Sequence, residues 1–401
     1  MRLHRNLVYT TIDALNAIFN EGEYADKVVA RSLKKDKRWG SSDRKFVAET
    51  IYEIVRWKRL YSEIAEVKEP FDRDNLWRIF AVWAVLRGYP IPDWRQLDGT
   101  PERKIKGRFD ELSKIRTFKE SIPDWMDEIG VKELGEKVWS KEITAQNQPA
   151  KVILRVNTLK TTKEKLKAIL MDLNIETEYL NDQPDALVLK ERANVFLTDA
   201  FKQGFFEVQD AASQLVAPML DVKAGMRVID ACAGAGGKTL HIAALMENKG
   251  RIIAMDVEER KLQELQKRAR RAGAMNLETR LIEPKTIKRL QESADRLLLD
   301  VPCSGLGVIR RNPDAKWKLT PEFIENLRTV QYTILTQYSS MLKKGGKMVF
   351  ATCSLLPSES EDHVRRFLAE QGEQWELLEE RRTSPAEDGY DGFYMACLQR
   401  K

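Results

Sequence analysis

Apolar residues recur at intervals of three and four through the first third of the chain. Two stripes have this spacing: Val8, Ile12, Leu15 and Phe19 in the first, and residues 46–55 in the second. Such spacing places apolar side chains on one face of a helix. Turn-forming glycine and proline interrupt the pattern within 88–108. We therefore predict a helical domain over residues 1–147. Its core is expected to include Tyr52, Trp57, Trp77, Phe80 and Trp83, and base-stacking platforms are the alternative role for these rings.

The pattern changes near residue 148. KVILRVNTL at 151–159 and LVLKE at 187–191 are short apolar runs typical of strands, and a helical stretch separates them. We predict a small α/β linking module over 148–224.

Beyond residue 225, strand-like runs alternate with helical segments. The runs are RVID, RIIAMD, LLLD and KMVFAT. Alternation of this kind indicates βαβ units and a mostly parallel sheet. The predicted fold class is therefore α/β, with a Rossmann-like doubly wound domain over 225–401.

Composition narrows the function classes only slightly. The 401 residues allow two or three domains, and an apolar content of 43% is sufficient for hydrophobic cores. A net charge of +6 is compatible with a polyanionic partner but does not require one. The basic cluster within 31–38 fits either a solvated helix end or a contact with RNA.

Targeting, membrane and metal signals are missing from the sequence. No apolar stretch is long enough to span a bilayer and the start does not resemble a signal peptide, so we expect a soluble cytoplasmic protein. The four cysteines form no CxxC pair, and the three histidines have no ligand spacing. Neither a disulfide framework nor a metal site is expected.

The stretch DACAGAGGKT at 230–239 raises the question of what its glycines bind. A phosphate loop of the GxxxxGK[ST] type needs a glycine where this chain has Cys232. The dinucleotide pattern GxGxxG is also imperfect. What remains is a tight strand-to-helix turn whose backbone can approach a ligand closely at the end of the first strand.

Asp256 ends the next strand-like run, about twenty residues further on, where an acid can accept hydrogen bonds from both ribose hydroxyls. The pairing indicates a nucleoside-bearing cofactor. NAD-dependent enzymes share it, and a purely structural role for these residues also stays open.

Two cysteines follow apolar strands. Cys303 lies in LLLDVPCSG and Cys353 in KMVFATCS. Parallel strands bring their carboxyl ends to one edge of a sheet, so we expect both thiols there, beside the glycine turn. Buried structural cysteines are the alternative.

One reaction uses two such thiols. Carbon 5 of a pyrimidine becomes nucleophilic when a thiolate adds to carbon 6, and it can then accept a methyl group from a sulfonium donor. A second group must help the carbon 5 proton to leave before the thiolate is expelled. Asp300 is a candidate to bind the ring nitrogen and amino group of cytosine, and in its protonated form it would also stabilise the adduct.

At these residues the chain resembles the RNA cytosine-5 methyltransferase family. The segments that carry the resemblance are LRVNTLK at 154–160, GFFEVQDAASQLV at 204–216, DACAGAGGKT, LLLDVPCSGLGVIRRNPDAKW at 297–317, ATCSLLPSESE at 351–361 and DGFYMACL at 391–398. SDRKFVAETIYEIVRWKRL at 42–60 resembles the NusB-like RNA-binding domain that precedes the catalytic part in one subgroup.

The resemblance implies a role for each matching residue. It makes Cys353 the nucleophile, has Cys303 assist product release, and turns Lys238 toward the target cytosine. It also implies an S-adenosylmethionine site, formed by Cys232, Ala233, Gly234, Ala235, Gly236, Gly237, Lys238, Asp256 and Asp300. Two departures stand out: Ala235 replaces the usual proline, which should soften the loop, and Glu283 is only the nearest candidate for the usual acid after the third strand.

We therefore expect a monomeric enzyme that forms 5-methylcytosine in RNA, with small-subunit ribosomal RNA as its substrate. Arg310 and Arg311 are expected to contact the RNA backbone. Two other function classes stay open. One is an RNA-binding ribosome assembly factor with a vestigial methyltransferase fold, and the other is a thiol redox protein.

Overall fold

The structure, a computed structural model, describes residues 3–401 and divides into two compact units. The first contains the chain up to Gln148 and the segment Ile309–Pro321. The second contains Pro149–Val308 and Glu322–Lys401. Residues 309–321 fall inside the range predicted for the catalytic domain, yet they pack with the helices of the first unit.

Within residues 3–148 the structure has nine helices: α1 Arg5–Phe19, α2 Ala25–Ser32, α3 Ser41–Arg56, α4 Lys58–Ile64, α5 Arg73–Leu86, α6 Glu102–Leu112, α7 Arg116–Lys119, α8 Asp124–Leu134 and α9 Glu136–Gln146. The next part of the chain mixes strands and helices: β1 Ile153–Val156, α10 Lys163–Asp172, β2 Thr177–Tyr179, β3 Ala186–Leu189, α11 Asp199–Lys202, β4 Phe206–Val208 and α12 Ala211–Met219.

Strands and helices alternate in most of the remaining chain: β5 Arg227–Asp230, α13 Gly237–Leu245, β6 Arg251–Asp256, α14 Glu259–Ala272, β7 Leu277–Leu281, α15 Thr286–Arg289, β8 Ala294–Asp300, α16 Ala315–Lys318, α17 Pro321–Tyr338, β9 Leu342–Thr352, α18 Glu361–Gln371, β10 Trp375–Thr383 and β11 Phe393–Arg400.

The first unit is built from amphipathic helices around one core. In α1 the stripe residues Val8, Ile12 and Leu15 are buried and Phe19 is half-buried, and the apolar stripe of α3 is buried. Trp77, Phe80 and Trp83 lie on the buried face of α5, which confirms the prediction for these three residues, and Tyr52 and Trp57 are half-buried against the same core. The segment 309–321 joins this unit by hydrogen bonds: Trp317 Nε1 donates to the carbonyl of Val55 at 2.7 Å.

The second unit contains two sheets. The smaller is antiparallel, with strand order β2-β3-β1-β4. The larger has the order β10-β11-β9-β8-β5-β6-β7. Its strands from β9 to β7 are parallel, and β11 and β10 add an antiparallel edge.

Alternate residues of the large sheet enter two different cores. Val228 of β5 packs into one core and its neighbour Ile229 into the other, and Val349 and Phe350 of β9 divide in the same way. Because successive side chains of a strand point to opposite faces, both faces of the sheet are covered. This confirms the predicted Rossmann-like α/β fold and its four apolar strands.

No helix within residues 3–401 is long and apolar enough to cross a membrane. Across the same range, no group of three or more His, Cys, Asp or Glu side chains could hold a metal ion.

A pair of glycines tests how tightly the smaller sheet packs on α14. Gly204 has φ +75° in the turn before β4, and a Cβ there would lie 2.0 Å from the carbonyl oxygen of Arg271. Gly345 also has φ +75°, but a Cβ would meet nothing within 4 Å. We expect Gly345→Ala to cost about 1–2 kcal/mol from the left-handed backbone alone. Gly204→Ala should cost about 1–3 kcal/mol more through overpacking.

Denaturant unfolding of both variants and the wild type measures this difference in the free energy of unfolding. Equal losses in the two variants would contradict the close approach at Gly204.

Candidate active site

The two thiols predicted at the sheet edge lie side by side. β8 and β9 are parallel neighbours, with Asp300 paired to Ala351, and each cysteine follows its strand. The Sγ atoms of Cys303 and Cys353 are 3.0 Å apart, and the backbone N–H of Cys353 donates to Cys303 Sγ at 3.2 Å. Both are free thiols and partly exposed. The prediction that they emerge at one edge is confirmed.

The surroundings of Cys303 oppose ionisation of its thiol. The hydrogen bond with Cys353, burial and the nearby negative charges of Cys353 and Glu359 raise the pKa of Cys303 well above its ordinary value. Cys303 therefore keeps its proton at neutral pH, and that proton can point toward Cys353.

Lys238 and Asp300 form an ion pair beside the thiols. Lys238 Nζ donates to Asp300 Oδ2 at 2.6 Å, and it lies 5.1 Å from the centre of the Phe393 ring. Burial opposes the charge of Lys238, but Asp300 and the negative charge of Cys353 outweigh it and raise the pKa of the amine. The pKa of Lys238 therefore depends on both Asp300 and Cys353.

Two glycines of the glycine-rich loop have different surroundings. Gly236, with φ +89°, packs so closely on α14 that a Cβ would lie 2.5 Å from Leu265 Cγ. A Cβ at Gly234 would meet nothing within 4 Å, so the backbone there borders open space. The N–H of Gly234 donates to Asp256 Oδ2 at 2.9 Å. The loop therefore presents bare backbone next to a buried carboxylate, which fits a nucleoside-bearing ligand.

Two arginines hold the carbonyl groups of this loop. Arg268 of α14 donates to the carbonyl of Ala235 at 2.8 Å, and Arg155 of β1 donates to that of Gly237 at 2.6 Å. Arg155 is 3% exposed, and burial lowers its pKa to about 10. We expected Ala235 to soften the loop, but in the structure its carbonyl is fixed by Arg268.

Cys232 and Ala233 contribute backbone to the loop. Cys232 packs against the core beneath the sheet edge, and burial raises the pKa of its thiol well above the ordinary value. Ala233 extends the pairing of β5 with β6, because its N–H donates to the carbonyl of Met255 at 2.8 Å.

Three further residues were predicted to belong to the site. Glu283 follows β7 at the expected edge, but it is exposed. Arg310 and Arg311 belong to the segment that packs with the first unit. Arg310 is only 6% exposed, and its carbonyl accepts a hydrogen bond from Arg56 at 2.9 Å.

The sequence did not reveal the residues that hydrogen-bond the loops of the site. Arg155 and Glu359 were inside the segments that carry the resemblance but received no role, and Arg268 and Gln331 were not considered. Arg155 and Glu359 are charged residues in buried positions, a signal that is visible only in the folded chain.

The fold is that of a Rossmann-like methyltransferase, and comparison with known proteins agrees with it. The model of the family described as 16S rRNA methyltransferase RsmB/F matches residues 217–399. A second family model, the ferredoxin-like domain of RsmF/B-like methyltransferases, matches residues 122–196.

A curated relative extends the match over nearly the whole chain. It is a probable ribosomal RNA small subunit methyltransferase B from Synechocystis, 32% identical over 92% of this chain and 90% of its own length. The protein therefore belongs to the RsmB/F family of methyltransferases.

Two solved structures share the fold. The crystal structure of PH0851 aligns with a TM-score of 0.86 and 25% identity, and covers 100% of both chains. A methyltransferase homologue from Pyrococcus horikoshii aligns with a TM-score of 0.64 and 27% identity, over 73% of this chain and 99% of its own.

The carboxyl group of Asp230 should make the stability of the protein depend on pH. It is buried and accepts a hydrogen bond from Thr239 Oγ1 at 2.7 Å, and burial raises its pKa to about 7. The folded state then holds a proton that the unfolded state releases near pH 4, so this residue lowers stability as pH rises from 4 to 7. Asp230→Asn removes that dependence.

We expect the free energy of unfolding of Asp230→Asn, relative to wild type, to increase by up to about 4 kcal/mol between pH 4 and pH 7. Urea unfolding at several pH values measures it. A difference independent of pH would show that Asp230 is ionised in the folded protein throughout this range.

Proposed function

We propose that this protein methylates carbon 5 of a cytosine in small-subunit ribosomal RNA through a covalent adduct with Cys353. The names of its family and of its relatives support the RNA substrate. The observation that carries the chemistry is the pair of free thiols 3.0 Å apart beside a half-buried Lys–Asp ion pair.

Cys353 is the nucleophile in this proposal. Its sulfur forms a bond to carbon 6, which breaks the carbon 5–carbon 6 double bond and makes carbon 5 nucleophilic. The Lys238 ammonium, paired with Asp300, would lie beside the ring as this bond forms. Cys303, which keeps its proton, is less suited to attack.

Cys303 acts after methyl transfer. The proton on carbon 5 must leave, and the bond from Cys353 to carbon 6 must break to restore the double bond. Once Cys353 is bonded to carbon, neither its charge nor its hydrogen bond raises the pKa of Cys303. Cys303 releases its own proton to water, and the resulting thiolate takes up the proton that leaves carbon 5.

Lys238 and Asp300 select cytosine over uracil. The pair presents one donor and one acceptor, 2.6 Å apart. With Lys238 facing N3 and Asp300 facing the amino group, the pair would fit cytosine, which has an acceptor at N3 and a donor at its amino group. In the same orientation uracil presents a donor to Lys238 and an acceptor to Asp300, and would be rejected. Asp300 acts here as an acceptor, since it pairs with the lysine ammonium.

The loop 232–238, with Asp256, would hold S-adenosylmethionine. When bound, this cofactor supplies an electrophilic methyl group. Asp256 is oriented for ribose hydroxyls, because the backbone N–H groups of Gly234 and Glu258 each donate to one of its oxygens at 2.9 Å. Gly234 and Gly237 leave space above the loop.

The thiol roles are tested with labelled S-adenosylmethionine and protein-free ribosomal RNA. Wild type should yield labelled 5-methylcytidine after digestion, and Cys353→Ala should lose at least about a thousandfold in rate. Cys303→Ala should accumulate a protein–RNA adduct that survives denaturing electrophoresis, because release is slowed after attack.

Cys397→Ala is the matched control, since this cysteine is buried in β11 and should leave activity unchanged. Labelled 5-methylcytidine formed at the normal rate by Cys353→Ala would refute the proposal. If wild type gives no product, the same assay on small ribosomal subunits tests whether an assembled particle is the substrate.

Cofactor binding separates this proposal from an assembly factor with a vestigial fold. We expect wild type to bind S-adenosylmethionine in calorimetry, and Asp256→Asn to bind about 10- to 100-fold more weakly, because a charge-assisted hydrogen bond is lost. Asp295→Asn is the control: that carboxylate lies at the opposite end of β8, where it accepts from the N–H of Arg227 at 2.8 Å. A wild type that binds no cofactor would favour the assembly factor.

A further inference from the structure

A buried carboxylate connects the two loops that carry the thiols. Glu359 follows Cys353 in the segment ATCSLLPSESE and is 0% exposed. Its Oε2 accepts from the hydroxyls of Ser304 and Ser354, each at 2.5 Å. These serines directly follow Cys303 and Cys353, so one oxygen atom holds the residue after each thiol.

The second carboxylate oxygen of Glu359, Oε1, also binds the loop that contains Cys303. Oε1 accepts from the backbone N–H of Ser304 at 2.8 Å and from Gln331 Nε2 at 3.0 Å. Gln331 Nε2 also donates to the carbonyl of Pro302 at 2.9 Å. The peptide groups on both sides of Cys303 are therefore anchored to the same carboxylate, one directly and one through Gln331.

The charge of Glu359 sets the direction of these hydrogen bonds. A carboxylate only accepts, so both serine hydroxyls must donate to it and leave their lone pairs for other donors. Ser354 Oγ accepts from the N–H of Leu356 at 3.1 Å, and Ser304 Oγ accepts from that of Leu306 at 3.4 Å. Each turn is thus closed on its own backbone and tied to the shared acid.

Burial of this acid is costly, and no cation offsets the cost. Among residues 3–401, no lysine, arginine or histidine forms an ion pair with Glu359. An isolated buried carboxylate persists only when hydrogen bonds satisfy it, and here four donors do so. Uncharged side chains of similar shape could fill the same space, so stability alone does not account for an acid at this position.

From these contacts we infer that Glu359 is a positioning residue for methyl transfer, which fixes Cys303 and Cys353 at the separation that attack and release require. The inference rests on the proposed function. Glu359 does not touch the reacting atoms in this arrangement and acts through Ser304 and Ser354. Its charge also contributes to the raised pKa of Cys303, which is consistent with that position.

Two readouts test the inference, and the first needs no RNA. Diamide oxidises neighbouring thiols: two S–H bonds break, one S–S bond forms, and the reagent takes up two electrons and two protons. With the sulfurs 3.0 Å apart, wild type should link Cys303 to Cys353 rapidly, as seen by peptide mass. Glu359→Gln and Glu359→Ala should link them at least about tenfold more slowly, because the loops move independently.

The second readout is steady-state kinetics. Displacement of reacting groups by about 1 Å can cost a hundredfold in rate, so we expect kcat of Glu359→Ala to fall about 100-fold. Glu359→Gln keeps the shape and should retain more activity than Glu359→Ala. KM for RNA and Kd for S-adenosylmethionine should stay within about twofold of wild type, because Glu359 lies outside both proposed binding surfaces.

Asp295→Asn is again the control. It removes a carboxylate at the far end of β8, the strand that leads to Cys303. If it slows thiol linking and lowers kcat as much as Glu359→Gln does, the effect is general destabilisation and the inference fails. It also fails if Glu359→Gln matches wild type in both readouts.

A double-mutant cycle keeps the test valid if Glu359→Ala does not fold. Ser354→Ala removes one donor to the carboxylate, and its effect on kcat should not add to that of Glu359→Gln if both act through the same contact. Full additivity would overturn the inference. If wild type methylates no RNA, the proposed function fails. The thiol-linking readout still decides whether Glu359 positions the two cysteines.

Discussion

The site depends on the parallel pairing of β8 with β9. Asp300 is paired with Ala351, and the pairing continues one step further because the N–H of Val301 donates to the carbonyl of Ala351 at 3.0 Å. Each chain then leaves the sheet at the same edge, which places the two thiols in contact. A register shift of one residue would turn the side chains of one strand to the opposite face and separate the groups that now meet.

The same edge concentrates negative charge. Asp230, Asp256 and Asp300 end three adjacent strands, and they are stabilised in three different ways. Asp256 accepts backbone N–H groups, Asp300 pairs with Lys238, and Asp230 has its pKa raised to about 7 by burial. Because Asp230 can bind a proton, the edge avoids a third full charge. Lys238 consequently stays available to Asp300 and to the thiol of Cys353.

Much of this arrangement was predictable from the sequence, because it depends on local patterns. RVID and RIIAMD end at Asp230 and Asp256 as predicted, since continuous apolar runs mark buried parallel strands. The antiparallel pair β10 and β11 was not predicted, because β10 is a largely exposed edge rich in charged residues. Glu359 was not assigned either. Its four hydrogen bonds come from loops and a helix far apart in the chain, and no spacing rule connects them.

The smaller sheet, which the sequence predicted to be a linking module, also contributes to the site. Arg155 projects from β1 to the carbonyl of Gly237, where helix α13 begins, and Glu207 of β4 pairs with Arg268, which holds Ala235. Both glycine-loop carbonyls are therefore anchored by residues that depend on this sheet. Since a buried arginine loses much of its hydration, its position is strongly determined by the few acceptors it has. Separation of the sheet from the loop would leave Arg155 without Gly237 and would release the backbone that borders the open space above Gly234.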